Sequence, residues 1–403
     1  MSVSQYVATS KSRELCIKAF EDYISWCKNC KFCREAIRSA EPFGYTRGIC
    51  PFKDYTSGYT TIVGASGKML IARGLLYETI KPTPAMAEDV YLCTTCGACK
   101  QWCGALVDTV GVIEALRADL VKAGVAPLNI HREFAERIKK YYNPYAEPPE
   151  KRFTWVPPEL KLPKKADVVY FVGCTSALRL PEIAESTVKL LDAAKVNFTI
   201  MPEEICCGSV MFRTGMREIG EDMAKRAIQM IEDTGASTVV FSCPGCYKTF
   251  VKDYQAILGE PLDYELKHIS QYLLEIDELQ FTKRVNARVT YHDPCHLGRH
   301  LEIFEPPREF IGQIPGLQLV EMERTKMGAF CCGAGGGVRG AFPGVSLDIA
   351  KERVREASAT GGTMLASACP FCKINFRDAI NELDATMQMY DVVELALKSV
   401  KGG

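Results

Sequence analysis

The sequence predicts an α/β C-terminal region of two repeated domains with parallel sheets, preceded by a mainly helical, cysteine-bearing N-terminal domain. Three observations carry that prediction. A pattern of strand, cysteine and helix occurs twice after residue 166. A stretch at 143–165 holds Pro144, Pro148, Pro149, Pro157, Pro158 and Pro163, shows no clear periodicity and reads as a linker. The chain also carries 19 cysteines in 403 residues, nearly all in groups at regular spacing. The expected divisions are therefore 1–142, a linker at 143–165, 166–284 and 285–403.

Composition excludes several classes. Length suits two or three domains, and a hydrophobic content of 47% supports ordinary cores. The formal net charge is zero, which argues against a nucleic-acid footprint. Disulfide frameworks belong to small secreted chains, and no secretory signal peptide is visible, so clustered cysteines read as metal ligands in a cytoplasmic protein. No apolar run approaches the roughly 18–20 residues of a membrane span. Membrane contact is therefore expected only through a partner subunit.

Residues 1–26 read as a short helical lead-in, with Cys16 alone in it as a small buried apolar residue. Two cysteine motifs follow. The first is Cys27-x2-Cys30-x2-Cys33 with Cys50 beyond it, and the second is Cys93-x2-Cys96-x2-Cys99-x3-Cys103. Three thiolates at this spacing wrap three corners of a [4Fe–4S] cubane, and a remote cysteine supplies the fourth. In two-cluster ferredoxins the fourth cysteine belongs to the other cluster. The expected sets are accordingly Cys27, Cys30, Cys33 and Cys103 for one cubane, and Cys93, Cys96, Cys99 and Cys50 for the other. Two features depart from the compact pattern: the long gap from Cys33 to Cys50, and Gly104 in place of proline after Cys103. Zinc is the alternative, but zinc motifs rarely use CxxCxxC twice with distant fourth ligands. Helices are expected over 104–125, where Ile113, Leu116, Leu120 and Val121 recur at helical spacing, and over 129–142.

The repeat follows the linker. Val168-Val169-Tyr170-Phe171 runs into Cys174, and Val289-Thr290-Tyr291-His292 runs into Cys295. A helix and a strand then lead to Cys206-Cys207-Gly208 and to Cys331-Cys332-Gly333. Helices at 215–233 and 346–358 come next, then strands ending in Cys243-Pro244-Gly245-Cys246 and Cys369-Pro370-Phe371-Cys372, and a closing helix. Equivalent cysteines lie roughly 120 residues apart throughout. Alternating strands and helices imply parallel sheets with helical crossovers, and ligands bind beyond the carboxyl ends of such strands. Each copy thus brings five thiolates to one crevice: Cys174, Cys206, Cys207, Cys243 and Cys246, then Cys295, Cys331, Cys332, Cys369 and Cys372. Successive side chains of an extended segment point oppositely, so a Cys-Cys pair suggests an unusual, larger cofactor. A cubane takes four ligands; either one cysteine is idle or the cluster is not a simple cube. Only Cys16 is left unplaced. Gly208, Gly333 and Gly335 let backbone approach the cofactor closely. Gly335-Gly336-Gly337 lacks the Lys-Ser/Thr of a phosphate loop.

These double-Cys and CPxC motifs resemble the CCG domains of heterodisulfide reductases. With the two-cluster ferredoxin-like module ahead of them, the whole chain resembles the D subunits of that family, themselves like the C and B subunits joined. The resemblance implies one noncubane [4Fe–4S] cluster per complete motif, with one bridging thiolate, fed by the two N-terminal cubanes. It implies reduction of a disulfide, with each sulfur captured at one of two facing sites and a free thiyl radical avoided. Implied partners are a cytochrome b-like membrane subunit, a flavoprotein, or a ferredoxin or hydrogenase, with a thiol/disulfide small molecule as substrate. Relatives serve as iron–sulfur subunits of lactate, glycolate and glycerol-3-phosphate oxidising systems, many with one degenerate motif; here both are complete. The alternatives are an electron-transfer subunit for a flavin-dependent 2-hydroxy acid or glycerol-3-phosphate dehydrogenase, and a membrane-complex subunit acting on a protein-borne disulfide or trisulfide.

Three histidines, His292, His296 and His300, surround Cys295. His292 and His296 are candidate proton donors to departing thiolates, with helix capping or structural hydrogen bonding as the alternative. Arg213 and Arg339 follow the two double-Cys stretches at near-equivalent positions. They read either as paired anion binders for sulfonate, carboxylate or phosphate, or as solvated or helix-capping arginines.

Overall fold

The computed structural model describes residues 14–35, 49–52 and 64–400. Of the expected lead-in, residues 1–13 lie outside the described residues; the remainder forms a 3-10 turn at Cys16–Phe20 and a helix at Glu21–Trp26. Cys16 is buried, and its N–H and that of Ile17 donate to Asp119 at 2.6 and 2.9 Å.

The N-terminal part is helical, with longer helices at Ala65–Leu76, Pro84–Tyr91, Thr109–Lys122 and Asn129–Tyr141. The helix expected from residue 104 begins later, because Asp108 caps it by accepting from Gly111 N at 3.2 Å. The helix expected to reach residue 142 stops at Tyr141, since Tyr142 is left-handed with φ 56°. Thr109–Lys122 is buried on almost every face. It is the central post of this part, and the 3-10 turn and the helices Ala65–Leu76 and Pro84–Tyr91 pack on it. The proline-rich segment contains one 3-10 turn, Pro149–Phe153.

Beyond it stand two parallel four-stranded sheets. We name their strands β1 (Val168–Phe171), β2 (Phe198–Thr199), β3 (Thr238–Phe241), β4 (Glu265–His268), β5 (Ala287–His292), β6 (Leu317–Leu319), β7 (Met364–Ser367) and β8 (Gln388–Asp391). The orders are β2-β1-β3-β4 and β6-β5-β7-β8. The repeat is thus a repeat of topology, with one correction. The sequence shows three strands per copy, and each has a fourth, β4 or β8. These edge strands read Glu-Leu-Lys-His and Gln-Met-Tyr-Asp, partly exposed and without a hydrophobic run. The long helices lie at Arg217–Glu232 and Pro343–Ala359, close to the expected 215–233 and 346–358.

The central strands are buried along nearly their whole length, as a sheet covered by helices requires. One hydrophobic core, from Val168 to Val400, runs through both sheets. Each fully buried Val, Leu, Ile or Phe in it contributes on the order of 1.5–3 kcal/mol. The chain end returns to the junction between the copies, where Phe281 and Val400 form an antiparallel bridge. No helix among the described residues is long and apolar enough to cross a membrane.

Arg117 ties the helical part to both sheets. Fully buried, it donates to the carbonyls of Val90, Tyr91 and Cys93, of Arg213 and of Gly336, at 2.7–3.3 Å. Hydrogen bonds to a charged group contribute about 1.5–3 kcal/mol each, and orphaned buried carbonyls cost more. Replacing Arg117 by Met is expected to destabilise the protein by about 3–5 kcal/mol, seen as a lowered midpoint in thermal unfolding. An unchanged midpoint would contradict the role given to this residue.

Candidate metal centre

None of the 19 cysteines is in a disulfide. In the first copy, β1 leads through Val172 to Gly173, whose φ is +77° and whose missing Cβ would sit 3.2 Å from Cys246 Sγ. Only glycine gives this close passage without strain. Cys174 opens a helix directly after it, and Cys243 stands at the end of β3 as the N-cap of Pro244–Lys248, which carries Cys246. Cys206 and Cys207 follow β2, and Cys207 Sγ lies 3.2 Å from Cys246 Sγ. Gly208, at φ +72°, aims its N–H at Cys206 Sγ at 3.4 Å. The second copy repeats the device. Gly333, at φ +85°, donates to Cys331 Sγ at 3.4 Å, and Cys369 N-caps the helix Pro370–Glu382 that carries Cys372. Every one of these ten cysteines is buried except Cys295, which is partly exposed.

The electrostatics are also paired. The second cysteine of each double is the acidic one. Hydrogen bonds from Cys206 and Cys246 lower the Cys207 thiol to about 6. Cys331, Cys372 and His292 hold Cys332 well below the usual thiol range. Cys246 and Cys372, hydrogen-bonded to them, shift the other way: a hydrogen bond to Cys207 heads the causes that raise Cys246, and burial followed by a hydrogen bond to Cys332 raises Cys372. Crowded, buried thiols that resist joint ionisation are the donor set that a metal cluster's positive charge stabilises. With the glycine cradle and sulfur-directed N–H groups, the residues fit iron–sulfur clusters.

The two sites adjoin. Cys372 lowers Cys369 by a hydrogen bond, but burial and the nearby charge of Cys243 from the other copy leave Cys369 raised. His296, beyond Cys295 of the second copy, reaches the first, where a Cβ on Gly245 would meet its Nδ1 at 3.4 Å. Its Nε2 is buried with no partner among the described residues. His292 stays within the second site, where its ligand nitrogen and the sulfurs of Cys332 and Cys372 all lie within 4.8 Å of one another. Arg353 Nε donates to His292 Nδ1 at 3.2 Å, which leaves the ring proton on Nε2. His300 does something else: its Nε2 hydrogen-bonds Thr95 O at 3.0 Å, against Gly97 of the N-terminal part.

The N-terminal cysteines gather beside the second site. Cys33 is raised to about 12 by burial and then by Cys50, with Cys27 and Cys103 adding to the effect. Burial, then Cys93 and Cys96, raise Cys50 to about 12 against a backbone hydrogen bond from Phe52. Cys33 thus neighbours Cys50, Cys27 and Cys103, and Cys50 neighbours Cys93 and Cys96. Cys99 Sγ contacts Thr109 Oγ1 at 2.9 Å, and Cys30 is exposed. Thr94 Oγ1 lies 3.3 Å from Cys331 Sγ. A hydrogen bond to Cys331 is the largest cause raising Cys96.

The glycine run acts less directly than expected. A Cβ on Gly335 would meet Thr94 O at 2.9 Å, one on Gly336 would meet Cys93 O at 2.5 Å, and one on Gly337 would meet His131 Nε2 at 2.5 Å. Gly335 and Gly336 admit the backbone of the second N-terminal motif, and Gly337 admits the His131 ring.

Arg213 is buried and held by Asp253 and by Glu114, the latter at 2.9 Å. Arg339 donates to Asn375 and, at 2.7 Å, to Asp378, and Asn375 in turn donates to Cys332 O at 2.6 Å. Both arginines are thus engaged within the fold. Sequence reasoning missed Arg152, which donates to Cys174 Sγ at 3.2 Å and to Glu204 at 2.8 Å. Glu204 also accepts from Val172 N and Gly173 N. Arg152 stands inside a proline-rich stretch, where no motif marks it.

The cysteine-rich CCG domain model matches residues 168–251 and 289–377. The D subunit of the dihydromethanophenazine:CoB--CoM heterodisulfide reductase of Methanosarcina mazei is 40% identical over 320 residues, covering 78% of each chain. The chain belongs to the D-subunit family of heterodisulfide reductases. The corresponding D subunit of Methanosarcina acetivorans is 40% identical over the same shares. The B subunit of the fumarate reductase (CoM/CoB) of Methanothermobacter marburgensis is 32% identical over 76% of this chain and 60% of that protein. A hypothetical protein from Helicobacter pylori shares the fold, with a TM-score of 0.56 and 11% identity over 83% of this chain and 67% of that one. This member of the D-subunit family is an iron–sulfur oxidoreductase with two CCG domains.

The crossed ligand sets have a direct check. Replacing Cys50 by Ala is expected to remove the same spectroscopic centre as Cys96→Ala, and Cys103→Ala the same centre as Cys30→Ala, by EPR of the reduced protein. The opposite pairing would overturn the crossing.

Proposed function

We propose that this protein is the catalytic iron–sulfur subunit of a heterodisulfide reductase-like complex. Two N-terminal [4Fe–4S] cubanes, bound by the motifs within 1–142, would feed two noncubane [4Fe–4S] clusters at the double-Cys sites of 166–284 and 285–403. The observation that carries the reading is the completeness and adjacency of two five-cysteine sites, with Cys243 close to Cys369 and His296 at the boundary. When bound, the clusters supply single electrons and sites for the two sulfurs. The overall change is balanced: one disulfide takes two electrons and two protons and leaves as two thiols.

The chain's residues supply the remainder. Cys207 and Cys332, held below the usual thiol range, would be among the thiolates that hold the clusters of 166–284 and 285–403. His292 carries its proton on Nε2 beside Cys332, and His296, whose buried Nε2 has no hydrogen-bond partner among the described residues, turns its Nδ1 towards Gly245 of the first copy. Both are placed to steady a departing thiolate by hydrogen bonding, while solvent supplies the two protons. Burial keeps both rings neutral at ordinary pH: desolvation lowers His292 and brings His296 to about 3. A neutral imidazole donates through its N–H without adding charge to the site. The Cys96–Cys331 contact supports electron entry at the second site. Partner subunits, a membrane cytochrome b-like protein, a flavoprotein or a ferredoxin or hydrogenase, would deliver the electrons.

The thiol adduct is the test. Oxidised protein titrated with candidate thiols is expected to give a new EPR signal that broadens with isotopically labelled thiol sulfur. No thiol-dependent signal, alongside intact flavoprotein-coupled dye reduction, would sink the disulfide reading in favour of an electron relay. Cys332→Ala is expected to abolish disulfide reduction while the N-terminal cluster spectra persist; their loss would mean that the modules are wrongly divided.

A further inference from the structure

Arg299 lies four residues after Cys295, in the short helix Gly298–Leu301, and is 5% exposed. Its Nε donates to Cys96 O at 2.8 Å and its Nη1 to Ala329 O, with Met327 O at 3.5 Å. It grips the second N-terminal motif with one edge of the guanidinium and the 3-10 turn leading to Cys331-Cys332 with another. Its charge has no carboxylate partner among the described residues. Against the cost of burial, the groups that hold it charged are the thiols of Cys96, Cys295 and Cys331. Three other buried arginines near the sites differ: Arg152 pairs with Glu204, Arg213 with Glu114 and Asp253, and Arg353 with Glu356, while Arg117 is held by peptide carbonyls. The first copy has Leu178 at the corresponding place after Cys174. A buried, uncompensated cation is costly unless negative charge sits beside it. Among the described residues that charge comes from the ligand thiolates and what they bind.

We propose that Arg299 is an electrostatic positioning residue that makes the second N-terminal cluster and the second double-Cys cluster an adjacent pair of favoured electron sites. The inference rests on the cluster placement proposed above. Adding an electron adds negative charge, and a fixed cation beside two neighbouring clusters stabilises the reduced form of both. The first N-terminal cluster and the first double-Cys cluster, without this cation, are not raised by it. Electrons arriving singly would then collect side by side, next to a reaction that consumes two.

The test is a potentiometric EPR titration of the full chain, loaded anaerobically, as wild type, Arg299→Gln and Arg299→Lys. Gln is expected to weaken the electron affinity of two clusters together by at least tenfold, about 59 mV for a one-electron couple, and to leave the other two unmoved. Lys is expected to retain most of the wild-type values. The inference is overturned if Gln leaves all potentials in place, moves a single cluster, or shifts them no more than Lys does. Should Gln load incompletely by iron and sulfide analysis, Lys decides: wild-type potentials support the charge, and potentials lowered for both clusters overturn it. A wild type without separate N-terminal and double-Cys clusters would instead defeat the proposed function.

Discussion

The guanidinium of Arg117 is buried where peptide carbonyls from three parts of the chain converge. It takes those of Val90, Tyr91 and Cys93 from the helical part, Arg213 from the first copy and Gly336 from the second. Carbonyls turned inward in loops have no ladder partners and need a donor. The loops that carry cysteines are such loops, since their N–H groups turn towards sulfur. Arg299 serves the same need for Cys96 and Ala329. Cation-to-carbonyl contacts therefore hold the N-terminal motif and the second double-Cys site at a fixed separation. Thr94, Cys96 and Cys331 meet because of it.

The repeat is topologically even and chemically uneven. Three residues before the strand-end cysteine stand Phe171 in one copy and His292 in the other. Phe171 packs against Phe241 and Phe250. His292 faces Cys332, backed by Arg353 and, through it, Glu356. The first site has instead Arg152 on Cys174, backed by Glu204. The N-terminal part leans on the second site. Two similar sulfur cradles thus sit in different fields, as suits a route with a direction.

What the sequence displays plainly is what local chemistry fixes. The metal-ligand spacings, the strand-to-cysteine junctions and the glycines after each double cysteine are legible because neighbouring residues alone determine them. The edge strands β4 and β8 escape, because pairing on one side makes strands of segments whose side chains lack a pattern. Arg117, Arg152 and Arg299 escape because a buried cation is justified only by distant carbonyls and thiols. The triple glycine was legible as a close approach, but its neighbour, the Cys93–Thr94 backbone, lies over two hundred residues away in the chain. The same distance hides the Cys96–Cys331 contact.

Iron-edge anomalous scattering from anaerobically grown crystals of the loaded chain, soaked with the disulfide substrate of its complex, tests the central claim most directly. The account predicts iron at both N-terminal motifs and at both double-Cys sites, with substrate sulfur density between Cys243 and Cys369. Iron at the N-terminal motifs alone, or sulfur bound elsewhere, would contradict it.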